Sequence, residues 1–338
     1  MRCKILAFSR ERESKRRLVH TYDDIISFEN LLISWQEFLR GKRKRKDVAE
    51  FSFNFLDNIY QLHEELKNGT YQHGRYEAFK VNDPKPRDIH KASVRDRLVH
   101  HAMYRILYPY FEKKFIHDSY SCRVGKGTHK AINRFQGYLR KVSKNNTKQC
   151  WVLKCDVKKF FASIDHQVLK YILIKYISDI QTRRLFENII DSFSAGLPLG
   201  NLTSQLLVNI YMNEFDHFVK RELKVRYYIR YADDFVVLSD DKKYLGNLLP
   251  QLRGFLERQL KLTLHPNKVF IKTLASGVDF LGWVHFPHHR IPRTTTKRRM
   301  LRHTRQSQNK ETVCSYLGLL SHGNTYNLRS TILSQKHL

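Results

Sequence analysis

The sequence predicts an α+β fold. Apolar residues recur at helical spacing in several stretches, as in Leu245, Leu248, Leu252, Phe255 and Leu256. Shorter apolar runs are bounded by turn residues, above all VRYYIRYADDFVVLSD, which alternates around a tight polar turn at Ala232-Asp233 in the manner of a β-hairpin. The two patterns mix without the regular strand–helix–strand alternation that produces a parallel sheet.

Along the chain, the basic start MRCKILAFSRERESKRR is interrupted by charges before any apolar core of a secretory signal develops. Helical spacing runs from Ile25 to Leu39, and the cluster GKRKRK (Gly41 to Lys46) follows, read as a phosphate contact rather than only a solvated helix end. A second helical stretch, Val48 to Leu66, stops at Asn68-Gly69. Tyr76 to Val81 reads as strand, DPKPRD (Asp83 to Asp88) as a turn, and Val94 to Phe111 as helix. A polar linker, Lys141 to Gln149, leads into CWVLKCDVKKFF, a buried strand with Asp156 near its end. Helix is expected from Gln167 into the 180s. The segment GLPLGNLTSQ (Gly196 to Gln205) then opens a helix from Leu206 to Phe218. After the hairpin and the Leu245–Leu256 helix come a small strand region, Val278 to Phe286, and a very basic, mostly helical tail.

Bulk properties narrow the function class. The chain has 338 residues, 41% hydrophobic and 12% aromatic, enough for a sizeable core, and no apolar run of membrane-spanning length. Its 61 Lys and Arg against 32 Asp and Glu leave a formal net charge of +29. A surface this positive repels itself unless it faces a polyanion, and nucleic acid fits best because phosphate neutralisation releases condensed counterions. An anionic membrane is the rival, but no basic amphipathic helix stands beside a hydrophobic anchor, so no membrane partner is expected. The five cysteines (Cys3, Cys122, Cys150, Cys155, Cys314) lack zinc-site spacing and read as thiols in a reducing cytoplasm.

Carboxylates at strand ends carry the chemistry. Phosphoryl transfer from a nucleoside triphosphate needs divalent cations on the attacking and leaving oxygens, and hard cations take carboxylates, waters and phosphates as ligands. The adjacent Asp233 and Asp234 at a hairpin tip cost repulsion that cations would neutralise, and Asp156 from another strand would complete the site. An Asp-Asp pair is also common in plain turns. The apolar strands on both sides, together with Asp156 and GLPLGNLTSQ upstream, favour function here.

Taken in order, KCDVKKFFASIDH, GLPLGNLTSQ, RYADDFVVL, LKLTLHPNKV and VDFLGWVHF resemble palm motifs A to E of reverse transcriptases, and KPRDIHKASVRDRLVHHA resembles the preceding fingers motifs. Within that superfamily the chain most resembles enzymes of diversity-generating retroelements. Leu199 follows Pro198 where group II intron enzymes carry Gln, and the motif ends Ser204-Gln205. The stretches ENLLISWQEFLRGKRKRKDVAEF and SYLGLLSHGNTYNL look like the same class, whereas the NAxxH and VTG elements of retron enzymes are not found.

The resemblance implies a right-hand polymerase with a small antiparallel palm sheet carrying the YADD hairpin. Its parts would be a helical basic extension (1–70), fingers (71–149), palm (150–286, with inserted fingers helices at about 167–195) and a basic helical thumb (287–338), leaving no room for RNase H, maturase or endonuclease extensions. Asp156 and Asp233 would bind a pair of Mg²⁺ ions, which Mn²⁺ could replace, with the Val157 carbonyl helping and Asp234 in support. Lys85, Arg87, Phe161, Leu199, Gly200 and Gln205 would bind the incoming dNTP, the alternative for Lys85 being a solvated loop lysine. Arg87 offers a planar fork for phosphate, and Phe161 would form the steric gate against a ribose 2′-OH, its alternative being a core side chain. Gln205 would contact the template or cap the following helix. Lys268 would protonate the leaving pyrophosphate, its alternative being one more surface lysine in a basic protein, and Phe280, Leu281, Gly282 and Trp283 would form the primer grip. Asp165-His166 reads as a helix cap. The implied partners are template RNA, a cDNA or primer strand, dNTPs and a small basic accessory variability protein, in the cytoplasm. The implied task is mutagenic retrohoming with errors at template adenines. Rival readings are a bacterial reverse transcriptase of a defence or group II-like system, and a non-catalytic RNA-binding protein on the same fold.

Overall fold

A computed structural model describes residues 18, 20–82, 86–306 and 309–334. The chain opens with helices α1 (Tyr22–Ile26), α2 (Phe28–Phe38), α3 (Lys46–Phe53) and α4 (Phe55–Lys67). A hairpin of β1 (Glu77–Val81) and β2 (Arg87–Lys91) precedes α5 (Val94–Glu112) and α6 (Thr128–Val142). Then come β3 (Trp151–Asp156), α7 (His166–Tyr176), α8 (Ile180–Asp191) and α9 (Leu202–His217). The hairpin β4 (Tyr228–Tyr231) and β5 (Asp234–Ser239) leads to α10 (Lys242–Leu260) and β6 (Phe270–Thr273). Short strands β7 (Val278–Phe280), β8 (Trp283–His285) and β9 (Arg290–Pro292) precede α11 (Thr294–Gln306), α12 (Lys310–Leu320) and α13 (Tyr326–Ser334). Helix and antiparallel sheet mix as the sequence predicts. No described helix is long and apolar enough to cross a membrane.

The chain divides into two compact units, each drawn from separate stretches of sequence: up to Ile116 with Lys158–Asp216 and Leu256–Leu262, and His117–Val157 with His217–Phe255 and Thr263–Leu338. In the first unit, local chemistry sets the helix ends. Ser27 accepts the Asn30 N–H at 3.2 Å to start α2, and Gly69 ends the α4 region at φ +70°, where a side chain is disfavoured. The expected Val48–Leu66 helix is two helices, because Asn54 (φ −109°, ψ 44°) leaves the helical region. The stretch from Gln167 also divides. Asp165 caps α7 by accepting the Val168 N–H at 2.9 Å, and Asp179 caps α8 by accepting the Thr182 N–H at 2.8 Å. In GKRKRK, Lys42 donates to the Phe38 carbonyl at 2.9 Å and so closes the C-terminus of α2. Helix α9 begins at Leu202, earlier than Leu206, so Gln205 lies inside its first turns and cannot serve as its cap.

The second unit holds the larger sheet, antiparallel in the order β4-β5-β3-β6. Its core joins Val152, Ile229, Val236 and Leu238 from the sheet to Phe135 and Leu139 of α6, a helix that the sequence reading passed over and that extends to Val142 inside the expected linker. A second sheet, β7-β8-β9, is pinned by Phe280, whose ring lies 5.1 Å from that of Phe135. The basic tail closes its own small core around Met300, Val313, Leu320, Leu328 and Ile332. Each of the three helices α11, α12 and α13 contributes apolar side chains to this core, which lets a tail this charged fold.

Candidate active site

Strand β3 is central in its sheet, and its apolar run ends where the sheet meets polar surroundings. Asp156 is its last residue. Antiparallel pairing with β5 sets Asp156 directly opposite Asp234, the first residue of β5, and Asp233 occupies the two-residue turn between β4 and β5. Carboxylates from separate segments thus converge at one end of one sheet. Like charges directly opposite one another destabilise a strand pair, so the pairing demands cations nearby. Two lysines supply them. Lys268 Nζ lies 2.8 Å from Asp156 Oδ1, and Lys154 Nζ lies 3.3 Å from Asp234 Oδ2.

The two ion pairs differ in setting. The Lys268 side chain is 44% exposed, and it hangs on a loop fastened by the His265 N–H donating to the Asp156 carbonyl at 2.7 Å. Lys154 is only 10% exposed. Burial pushes the Asp234 carboxyl up to about 7, against the pull of Lys154, with Asp233 and Asp156 adding repulsion. Its Oδ1 is buried and has no hydrogen-bond partner among the described residues. Among the described residues, no three Asp, Glu, His or Cys side chains are gathered closely enough to enclose an ion. The donor set nevertheless fits a hard divalent cation: carboxylate oxygens from separate strands, one of them buried and without a hydrogen-bond partner among the described residues, with ammonium groups paired to two of the carboxylates. The Val157 N–H donates to the Asp233 carbonyl at 3.2 Å and ties the turn to the end of β3.

One contributor was not anticipated. Arg230, in RYADD, is fully buried; its guanidinium donates to the Ala232 carbonyl at 3.1 Å and to Ser119 Oγ at 3.1 Å. Its backbone pairs with the segment at Asp118–Tyr120, the Arg230 N–H donating to the Asp118 carbonyl at 2.9 Å and the Tyr120 N–H to the Arg230 carbonyl at 3.0 Å. The Asp118 carboxyl takes Arg134 at 2.8 Å and Tyr138 at 2.7 Å. Burial alone would raise that carboxyl, but its hydrogen bonds from Tyr138, Arg134 and His117 hold it below the usual range. Arg230 braces the turn, where Ala232 sits at φ +54°. An arginine two residues before an alanine-containing turn was the available signal, and it reads as ordinary strand until its burial is known.

The remaining candidates fall in two places. Lys85 lies outside the described residues. In the first unit, Arg87 is exposed at the start of β2. Phe160 is buried while Phe161 is half-buried, their rings edge-on at 5.6 Å, so Phe161 is the one of the pair left accessible. The loop at Leu199 lies along β2: the His90 N–H donates to the Leu199 carbonyl at 3.0 Å, and Asn201 Nδ2 donates to the His90 carbonyl at 3.0 Å. Leu199 is half-buried, Gly200 is exposed at φ +110°, and Gln205 is half-buried on α9. In the second unit, Phe280 and Trp283 are buried. The turn between them, Leu281 (φ +50°) and Gly282 (φ +85°), opens on a cavity of about 250 Å³ lined also by Thr128, His129 and Arg299.

Fold and carboxylate geometry together point to one family. The model of the family described as Reverse transcriptase (RNA-dependent DNA polymerase) matches residues 80–285. The chain belongs to this family. It is 28% identical over 265 residues to Protein YkfC of Escherichia coli (strain K12), covering 65% of this chain and 69% of that protein. To the group II intron-encoded protein LtrA of Lactococcus lactis subsp. cremoris it is 24% identical over 305 residues, covering 67% of this chain and 49% of LtrA, so it spans about half the length of that relative. Among solved structures, telomerase from Candida albicans in complex with a fragment of telomeric RNA aligns at a TM-score of 0.54 and 11% identity, over 80% of this chain and 55% of that one, a likeness of fold.

Proposed function

We propose that the protein is an RNA-directed DNA polymerase that copies a retroelement RNA into cDNA for mutagenic retrohoming. The observation that carries the catalytic part is the register of β3 and β5, which sets Asp156 opposite Asp234 with Asp233 in the adjoining turn. Asp156 and Asp233, with the Val157 carbonyl, would hold divalent cations, magnesium by resemblance and manganese as its substitute, with Asp234 in support. Such ions supply charge neutralisation on the transferring phosphoryl group and lower the cost of forming the attacking alkoxide. The chain's own residues do the rest. Lys85 and Arg87 receive the triphosphate, Phe161 excludes a ribose 2′-OH, and Gly200 and Gln205 line the nucleotide and template side. Lys268 swings from Asp156 to protonate the departing pyrophosphate. The Leu281-Gly282 turn, backed by Phe280 and Trp283, supports the primer strand. Leu199 places an apolar side chain where an amide would police the new base pair. The diversity-generating assignment rests on Leu199 and Ser204-Gln205, and carries with it a small basic accessory partner and a structured template RNA.

Primer extension on a defined RNA, comparing the protein with its Asp233→Asn variant, tests the catalytic reading. The variant is expected to lose about 10²–10³-fold or more in rate while keeping its fold. Equal product from both would refute the assignment of the site to these aspartates, and no product from either would leave RNA binding on a polymerase fold. The intron-encoded relatives favour a second reading, an enzyme serving a group II-like element. Sequenced cDNA separates the two: errors concentrated opposite template adenines support the first, and an even, low error spectrum supports the second.

A further inference from the structure

Lysine is rarely buried, and a lysine in the middle of a central strand needs a reason. Lys154 lies in β3 with strands on both sides, opposite Val236 of β5 and Phe270 of β6. Strand alternation puts it on the same face as Asp156, two residues on. From there its ammonium reaches diagonally to Asp234 Oδ2 at 3.3 Å. The other oxygen of that carboxylate has no hydrogen-bond partner among the described residues. A neutral side chain would have packed beside Val236 and Phe270 at lower cost. The charge is therefore there for Asp234.

We propose that Lys154 is a positioning residue, a built-in monovalent cation that holds Asp234 against Asp156 and Asp233 when no metal is bound and that sets how tightly divalent metal is taken up. This inference rests on the metal-binding reading of the three aspartates. Its consequence has an unusual sign. Lys154 offsets carboxylate repulsion in the metal-free protein, and for the same reason it opposes an incoming cation. Removing its charge strengthens metal binding and weakens the metal-free fold. A residue with a purely structural role would do the second and not the first.

The test uses the full chain and Mn²⁺ alone, with binding read by electron paramagnetic resonance and stability by thermal melting in chelator. Lys154→Met is expected to bind Mn²⁺ about tenfold more tightly than the unmodified protein. In chelator it should melt at a lower temperature, and Mn²⁺ should restore the difference. Lys154→Arg, which keeps the charge, should stay near the unmodified protein in both measurements. The double variant Lys154→Met, Asp234→Asn removes both members of the pair and should recover stability in chelator. If Lys154→Met alone fails to fold, a folded double variant supports the proposal and an unfolded one overturns it. Equal or weaker Mn²⁺ binding by Lys154→Met overturns it as well. When the unmodified protein binds Mn²⁺ and Asp233→Asn does not, such a result removes Lys154 alone. Absence of Mn²⁺ binding that depends on Asp233 removes the metal site and this inference together.

Discussion

Leu199, half-buried, carries its backbone alongside β2, its carbonyl accepting the His90 N–H. An amide at this position could hydrogen-bond to a correctly paired nucleotide; a leucine cannot. One such bond is worth about 1 kcal/mol, or roughly fivefold in discrimination. Leu199→Gln is therefore expected to lower misincorporation opposite template adenine by about that factor. An unchanged error spectrum in sequenced cDNA would remove Leu199 from the account of fidelity. At the same scale, the types of Asp156, Asp233 and Asp234 were readable in the sequence because carboxylates beside apolar strands are costly without a purpose. Arg230 and Lys154 were not: a basic residue in a very basic chain carries no signal until its burial is seen.

Elements depend on a few backbone positions. Gly196 has φ +67°, and a Cβ there would lie 2.6 Å from Ala162 Cα, inside the turn that follows β3. The Leu197 N–H donates to the Phe161 carbonyl at 2.8 Å, so this close approach seats the loop containing Leu199 against the residues around Phe161. Gly196→Ala combines a strained φ with a clash against backbone that cannot move aside. It should destabilise the protein by at least about 3 kcal/mol, and a denaturant midpoint within error of the unmodified protein would contradict this. The β4–β5 turn shows the reverse case. Ala232 accepts a left-handed conformation that glycine would adopt freely, held there by the buried Arg230 guanidinium on its carbonyl. Strand and helix types were legible from periodicity. The breaks at Asn54 and between Tyr176 and Ile180 were not, because continuous apolar spacing hides a change of helix direction.

For the molecule as a whole, buried imidazoles set the acid limit of stability. Burial holds His100 well below the usual range and brings His101 and His285 down to about 4, with nearby cationic groups adding to the effect. Each is neutral in the folded protein, while the unfolded chain takes up protons below about 6.5. Their contribution is therefore complete above pH 6.5 and is lost as pH falls toward 4. Melting temperature should drop between pH 7 and pH 5 and drop less in the His285→Phe variant. Self-repulsion of a chain carrying +29 acts in the same direction, but salt screens it and leaves the burial effect. A melting temperature independent of pH at high salt would show that these imidazoles are not held neutral.

The sequence by itself determined the α+β class, the hairpin with Asp233 at its turn and the apolar strand that ends near Asp156, and its charge set the expectation of a polyanionic partner. These follow from local properties: periodicity, turn chemistry and summed charge act over a few residues or over the whole composition. Only the tertiary structure decided that Asp156 faces Asp234 in register, that lysines 154 and 268 neutralise them, that Phe161 rather than Phe160 is accessible, and that Arg230 braces the turn. Those facts depend on which segments distant in sequence pair and on what burial does to a charge, and neither is encoded in the neighbourhood of any one residue.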